Sequence, residues 1–132
     1  MADARSGMDM KNGDVLRAYE TLVKIANDPS LKFNIKVNYL FAKNKEKLRP
    51  EAMLIRRTRQ DLLLEYGYLN EDKDIVIAQD KVEEVNQKIN ELMEMENSLI
   101  LDEIPLEWLE EYDLGLDDVE SLMPMFPDVK WI

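Results

Sequence analysis

Carboxylates are the side chains of this sequence that could do chemistry, because its 132 residues include 28 Asp and Glu but no His and no Cys. Such a composition excludes a thiolate nucleophile, an imidazole base and an ordinary zinc site, and leaves carboxylate-based hydrolysis or a magnesium site. The pairs Asp72 and Asp74, and Asp117 and Asp118, suggest calcium ligands, but neither lies in a loop with the glycine and terminal glutamate of a calcium site. We interpret them as turn and cap residues, and we expect no metal, no cofactor and no enzymatic activity.

The charge of the chain is divided unevenly between its halves. Residues 1–70 hold 13 Lys and Arg against 9 Asp and Glu, a net charge of +4, and residues 71–132 hold 4 against 19, a net charge of −15. The whole chain carries −11. This asymmetry indicates an electrostatic partner, although packing of a basic helix against acidic C-terminal elements would account for part of it.

Composition predicts one small globular domain, with 45% hydrophobic and 34% charged residues. No apolar run approaches the ~18 residues that span a bilayer, and the opening MADARSGMDM lacks the apolar segment of a signal peptide. We therefore expect no membrane insertion, and the lack of Cys favours a cytosolic setting. Residues 1–10 are predicted to be a flexible segment, or one added to the natural chain, and residues 11–132 a single domain.

The longest helical pattern runs over residues 39–66. Phe41, Leu48, Ile55 and Leu62 recur every seven residues there, which places them on one side of a helix that must be buried. Much of the remaining surface is basic, through Lys43, Lys45, Lys47, Arg49, Arg56, Arg57 and Arg59. These residues could contact phosphates, but the acidic total charge and the core-like positions of the neighbouring aromatic residues argue against direct nucleic-acid binding.

Pro50 interrupts this helical pattern. It has no N–H for the carbonyl of Glu46, and it disfavours the helical conformation at Arg49. Either the helix kinks at Pro50, or a second helix begins there. We expect Asn38 to cap the long helix and Gly67 to end it.

Further helices are predicted on both sides of this one. A turn at residues 12–14 leads into a helix that extends to Ala26, and Asp80 with Glu83 resembles a capping box. The helix after that box carries a narrow apolar stripe that we expect to face the long helix, formed by Val82, Val85, Ile89 and Leu92. Near the C-terminus, Pro105 is expected to open a helix over residues 106–112, and Asp117 to cap a short helix that Pro124 ends.

Two stretches are predicted to form strands. Apolar and polar residues alternate over Phe33–Val37, and Leu99–Ile104 is expected to pair with this stretch as a small antiparallel sheet. Residues 75–78 are either a strand or the lead-in to the next helix. The predicted fold class is therefore α+β and mostly helical, with a long central helix packed by two or three helices and a small antiparallel sheet.

Candidate partner-binding residues are concentrated near the C-terminus. Trp and Met are enriched at interfaces, and acidic residues could present a negative surface to a nucleic-acid-binding partner, or could simply form a solvated face. The candidates are Trp108, Met125, Phe126, Trp131, Glu107, Glu110, Glu111, Asp117 and Asp118. We expect the apolar members of this set to carry most of the binding.

Three stretches of the sequence resemble a family of small proteins without an assigned activity, encoded by tailed phages of Gram-positive bacteria, often near tail genes. The stretches are KNGDVLRAYETLVKIA, FNIKVNYLFAKNKEKL and LILDEIPLEWLEEYDLGLDDVESLM. Pro50 and the ending FPDVKWI depart from the family's pattern, and the resemblance assigns no functional residue.

The resemblance implies a non-enzymatic phage product that binds another protein in the cytoplasm of the infected host cell, or in the virion. The first hypothesis is an assembly or virion accessory factor whose partner is a phage structural protein. The alternative is an acidic inhibitor of a host nucleic-acid-binding defence complex, similar to an anti-CRISPR protein or a nucleic-acid mimic. The oligomeric state is left open.

Overall fold

A computed structural model describes residues 10–126 of the chain, and this part is mostly helical. Four α-helices and two pairs of short antiparallel strands follow one another along it. In chain order they are β1 (Met10–Lys11), α1 (Asn12–Ala26), α2 (Ile35–Tyr66), β2 (Gly67–Leu69), β3 (Ile75–Ile77), α3 (Val82–Glu94), β4 (Glu96–Asn97) and α4 (Leu116–Ser121). The predicted class, a mostly helical α+β fold around one long helix, is confirmed.

Helix α2 is the central element and packs against α1 and α3. The predicted stripe is buried at Phe41, Leu48 and Ile55, whereas Leu62 is only partly buried. The helix begins earlier than the sequence pattern predicted. Asn34, and not Asn38, is its N-cap, because the Asn34 side-chain Oδ1 accepts a hydrogen bond of 3.0 Å from the backbone N–H of Val37.

Pro50 lies inside α2 without dividing it into two helices. Its side chain is exposed, on the side of the helix opposite to the core residues Leu48 and Ile55. The carbonyl of Glu46, which loses its usual donor, therefore faces solvent, where water can satisfy it. Of the two alternatives that the sequence left open, the prediction of two helices is wrong.

The predicted strand over Phe33–Val37 is wrong. Residues 31–34 are irregular and Ile35–Val37 form the first turn of α2. The alternation of apolar residues reflects a change of element, because Phe33 precedes the helix cap and Val37 belongs to the buried side of the helix. The ring of Phe33 packs edge-on against Phe41 at 5.1 Å between centroids.

The predicted strand over Leu99–Ile104 is also wrong, and so is its pairing with Phe33–Val37. This stretch contains no strand. Its backbone is held by a helix side chain instead of a strand, because Asn44 Nδ2 donates to the carbonyl of Asp102 at 3.0 Å and the N–H of Asp102 donates to Asn44 Oδ1 at 2.7 Å. Asn44 is completely buried in α2.

The strands that do form are short. Strand β1 pairs with β4, and β2 with β3, both antiparallel. Residues 75–77 are thus a strand, one of the two alternatives predicted for that stretch, and a 3-10 helix over Gln79–Lys81 connects them to α3. Gly67 is required where α2 enters this hairpin, because a Cβ atom there would lie 2.3 Å from the carbonyl oxygen of Val76.

Helix α3 is less deeply buried than its apolar stripe predicted. Val85 is 1% exposed, but Ile89 and Leu92 are only partly buried and Val82 is 39% exposed. The predicted capping role of Asp80 is wrong, because Asp80 lies in the preceding 3-10 helix and α3 has no side-chain cap. Helix α3 does pack against α2, as predicted.

The C-terminal third folds back over α1 and α2 through short turns. A 3-10 helix at Leu106–Leu109 replaces the helix predicted over residues 106–112, and Gly115, not Asp117, precedes α4. Pro124 lies inside a final 3-10 helix, Met123–Met125. The backbone N–H of Ile104 donates to the carbonyl of Met125 at 2.8 Å, which ties the two ends of this segment together.

Met10 already belongs to the fold, although the sequence placed it in a flexible segment. It is 4% exposed and pairs with Asn97. The remaining residues of that segment, 1–9, lie outside the described part of the chain. Within residues 10–126, none of the helices combines the length and the apolar character needed to cross a membrane.

Candidate functional site

Four of the nine predicted partner-binding residues line one open groove, which we call the Trp108 groove. Its volume is about 430 Å³. It is lined by Asn34, Lys36, Glu107, Trp108, Glu110 and Glu111. Residues that are close in sequence near the C-terminus therefore meet the start of α2 at a single surface site.

The 3-10 helix Leu106–Leu109 determines which side chains reach this groove. In a 3-10 helix, residues three apart lie on the same side. Leu109 is 5% exposed and packs with Leu106 on the core, so Glu107 and Glu110 share an outward side. The outward position of the carboxylates follows from the burial of the two leucines.

Contacts between Asn34 and Tyr112 fix the two sides of the groove relative to each other. The backbone N–H of Asn34 donates to the hydroxyl of Tyr112 at 2.7 Å. The Tyr112 ring also packs on Phe33, with 4.6 Å between centroids. The start of α2 and the turn that follows Glu111 are therefore held together by a hydrogen bond and an aromatic contact.

Trp108 is partly buried at the base of this site and already has a cation near its ring. The Nζ atom of Lys36 lies 5.8 Å from the ring centroid, within the range of a cation–π interaction. Lys36 itself is exposed. The Trp108 ring thus lines the groove within reach of an ammonium group, that of Lys36.

The surroundings of the groove are acidic. No Lys or Arg occurs between Lys88 and Lys130. Glu107, Glu110 and Glu111 are exposed, and none of them forms an ion pair with another residue of the described part of the chain. Lys36 is the single cation among the groove-lining residues.

Asp117 and Asp118 do not belong to this groove. Asp118 forms an ion pair with Lys24 of α1 at 2.5 Å, and its side chain is only 15% exposed. Its position indicates that it attaches α4 to α1. Asp117 is exposed in the first turn of α4, apart from the groove-lining residues.

Two of the apolar candidates are buried in the core. Met125 and Phe126 are 0% exposed and belong to the main core, so the expectation of accessible side chains there is wrong. The cause is the 3-10 helix Met123–Met125, which turns both side chains inward beneath the backbone hydrogen bond to Ile104. Trp131 lies outside the described residues, and its role stays a prediction.

The basic side of α2 is partly used within the fold, as one of the two interpretations of its charge predicted. Lys43 and Lys47 lie 3.7 Å and 3.1 Å from Asp102 Oδ2. That buried oxygen has no conventional hydrogen bond but is compensated by these two ammonium groups. Arg56 pairs with Glu20 at 2.9 Å, so several cations are engaged by α1 and the C-terminal third.

Sequence reasoning missed Asn34 and Lys36, the two contributions of α2 to the groove. The alternating pattern predicts a strand there instead, with both residues on the face opposite to Phe33, Ile35 and Val37. The sequence does contain a signal for the helix start. Asn34 lies three residues before Val37, and an N-cap side chain accepts a hydrogen bond from a backbone N–H at this spacing. Placing the helix start there predicts Lys36 on its first turn.

The described residues contain no group of three or more acidic side chains that could hold a metal ion. One carboxylate with a lowered pKa, that of Asp28, lies outside the groove in the turn after α1. Hydrogen bonds from the hydroxyl and the backbone N–H of Ser30 hold the pKa of Asp28 below its usual value. This arrangement belongs to the turn itself and lies apart from the residues that line the Trp108 groove.

Comparison with known proteins adds no family assignment: the chain matches no protein-family model, no curated protein and no solved structure.

Proposed function

We propose that this chain is a non-enzymatic binding protein that holds a Lys- or Arg-containing segment of a partner protein in the Trp108 groove. The observation that supports this most directly is that the indole of Trp108 lines one groove together with three exposed carboxylates, Glu107, Glu110 and Glu111. An indole face and carboxylates both attract a cationic side chain.

The two attractions differ in strength and reach. A cation over an indole contributes about 0.5–1 kcal/mol at an exposed site and about 2 kcal/mol when water is excluded. Exposed carboxylates add little affinity individually, but together they steer and orient a basic segment. Lys36 is exposed and can leave the ring, so a partner's cation can take its place over Trp108.

The biological setting of the proposal comes from the sequence resemblance. As a tailed-phage product, the protein would act in the cytoplasm of the infected host cell or in the virion, as an assembly or virion accessory factor with a phage structural protein as its partner. Support for an apolar docking surface at the C-terminus is reduced, because two of its expected side chains, Met125 and Phe126, are buried.

The second candidate function, inhibition of a host nucleic-acid-binding defence complex, is favoured by one observation. Six exposed carboxylates follow one another over a short stretch without an intervening cation: Glu107, Glu110, Glu111, Asp113, Asp117 and Glu120. A nucleic-acid-binding surface would meet negative charge there. Asp118 does not contribute in the same way, because Lys24 neutralises it.

A capture experiment tests the proposed function. The full chain and a triple variant, Glu107→Gln with Glu110→Gln and Glu111→Gln, are immobilised and exposed to infected-cell lysate, and the retained proteins are identified by mass spectrometry. We expect a protein with a basic segment to be retained by the wild type and lost by the variant. The control is Glu83→Gln with Glu84→Gln, which removes exposed carboxylates from α3.

The identity of the retained protein distinguishes the two settings. A phage structural protein supports the assembly role, and a host nuclease complex supports inhibition. Equal retention by the wild type and the triple variant would contradict the groove as the binding site.

A further inference from the structure

The side of α2 that faces away from the core is unusually apolar for an exposed surface. Ten large hydrophobic side chains are exposed within residues 10–126, and five of them lie on this side of α2 or directly after its end. The five are Ile35 (84%), Tyr39 (63%), Leu54 (54%), Leu64 (37%) and Tyr68 (62%). Pro50 lies on the same side and is also exposed.

Four charged residues separate these apolar positions at steps of three and four residues, the spacing of one helix face. Lys43 and Glu46 lie between Tyr39 and Pro50, and Arg57 and Asp61 lie between Leu54 and Leu64. We call this surface, from Ile35 to Tyr68, the outer face of α2. Its order is apolar, charged, apolar, charged, apolar.

The outer face is symmetric about the peptide bond between Glu51 and Ala52. An antiparallel copy of α2 placed across this midpoint brings Tyr39 opposite the partner's Leu64, and it places Ile35 near the end of the partner's helix, where the chain passes into β2. To within one residue, or about 1.5 Å along the axis, Pro50 meets the partner's Leu54. Apolar positions from Tyr39 to Leu64 therefore meet apolar positions of the second copy on both sides of the midpoint.

The charges on this face are complementary under the same operation. Glu46 lies opposite the partner's Arg57, and Lys43 lies opposite the partner's Asp61 to within one residue. A parallel two-fold arrangement would instead place each of the four charges against itself. The sequence of signs, positive, negative, positive, negative, thus selects the antiparallel orientation.

The two best-placed charges, Glu46 and Arg57, have no competing ion-pair partner among residues 10–126. Glu46, Arg57 and Asp61 are exposed and form no ion pair with any residue of the described part of the chain. Lys43 is partly engaged, at 3.7 Å from Asp102 Oδ2 and with its Nζ 5.5 Å from the Tyr39 ring centroid. The Glu46–Arg57 pair is therefore the one to test.

We propose that the outer face of α2 binds a second copy of this chain, giving an antiparallel two-fold dimer. Each Glu46 pairs with the partner's Arg57, and Pro50 and Leu54 pack around the two-fold axis. In such an interface every contact occurs twice, so a single substitution changes two contacts. The inference is independent of the Trp108 groove, whose carboxylates lie outside this face.

The experiment measures the mass of the full chain by sedimentation velocity over a range of concentrations. We expect a dimer for the wild type. Glu46→Arg alone and Arg57→Glu alone each place like charges in contact twice, so each should raise the dimer dissociation constant by at least about tenfold. An equimolar mixture of the two single variants should form a heterodimer, because both opposite-charge pairs are restored between them.

Matched controls are Glu84→Arg and Lys88→Glu, which reverse exposed charges on α3 and should leave the dimer unchanged. Thermal melting of each variant checks that it is folded. A wild type that stays monomeric at every concentration would overturn the proposal. So would single reversals that dimerise like the wild type, or a mixture of the two variants that stays monomeric.

Discussion

The side-chain amide of Asn44 forms two hydrogen bonds with the backbone of Asp102, one donated and one accepted, as a residue of a neighbouring antiparallel strand would. The amide of Asn44 donates to the carbonyl of Asp102 at 3.0 Å and accepts from its backbone N–H at 2.7 Å. Lys47 adds a longer contact of 3.4 Å to the carbonyl of Ile100. The extended segment after β4 is thereby attached to α2 by side chains, in the place where the sequence predicted a strand.

The first prediction concerns this amide. Asn44→Ala removes both hydrogen bonds and leaves the buried backbone groups of Asp102 without their partner, so we expect a loss of about 2–4 kcal/mol in the free energy of unfolding. Asn38→Ala, an exposed position on the same helix, should change it by less than about 0.5 kcal/mol. Urea denaturation measures both. A loss at Asn44 no larger than that at Asn38 would show that the two hydrogen bonds between Asn44 and Asp102 do not stabilise the fold.

The second prediction concerns the buried side of α2. Ile55 is 4% exposed, and Ile55→Ala should cost about 2–5 kcal/mol. Leu62 is only partly buried, so Leu62→Ala should cost clearly less. The two midpoints in urea give the comparison. A loss below about 0.5 kcal/mol at Ile55 would mean that the buried stripe is misplaced.

The stripe and the strands show what the sequence could and could not predict. A seven-residue repeat sustained from Phe41 to Ile55 has few structural interpretations, and it located the central helix correctly. An alternation confined to Phe33–Val37 has two structural interpretations. It can be a strand, or the same residues can end an irregular segment and begin a helix. The N-cap hydrogen bond from Val37 to Asn34 decides between them, and neighbouring residues alone do not reveal it.

The site was predicted in part for a similar reason. Glu107, Trp108, Glu110 and Glu111 are neighbours in sequence, and so their proximity follows from the chain itself. Lys36 reaches them through tertiary contacts, namely those of Asn34 and Phe33 with Tyr112. The sequence places Met125 and Phe126 among the partner-binding candidates near the end of the chain, whereas the packing of the C-terminal third buries both side chains.

The third prediction compares Phe126, which is part of the core, with Trp108, which lines the proposed binding groove. Phe126 is 0% exposed, so Phe126→Ala should cost about 3–5 kcal/mol of folding free energy. Trp108 is partly exposed, and Trp108→Ala should cost less stability while it weakens binding of a hexalysine peptide. Thermal melting and calorimetric titration at a temperature where both variants are folded make the test. Equal stability losses at the two positions would contradict the assigned roles.

The fourth prediction concerns the balance of Coulombic and aromatic binding in the Trp108 groove. The Debye length falls from about 10 Å at 0.1 M salt to about 3 Å at 1 M, so affinity for hexalysine should fall steeply over this range. The triple variant Glu107→Gln, Glu110→Gln and Glu111→Gln should lose most of this salt dependence. Trp108→Ala should instead lower the affinity at every salt concentration while leaving the slope unchanged.

Competition by an oligonucleotide extends this test to the natural partner, once it has been captured. If the acidic stretch from Glu107 to Glu120 substitutes for nucleic acid, the oligonucleotide should displace the protein, and reversing Glu110, Glu111 and Asp117 to lysine should abolish binding. Asp118 is left unchanged in that variant because its ion pair with Lys24 attaches α4 to α1. If the protein is an assembly factor that holds a basic segment over the indole, Trp108→Ala should weaken binding of the captured partner, whereas a nucleic-acid mimic should tolerate this substitution. Binding that is insensitive to salt and survives the triple glutamine variant would place the interface elsewhere, with Trp131→Ala as the next variant to measure.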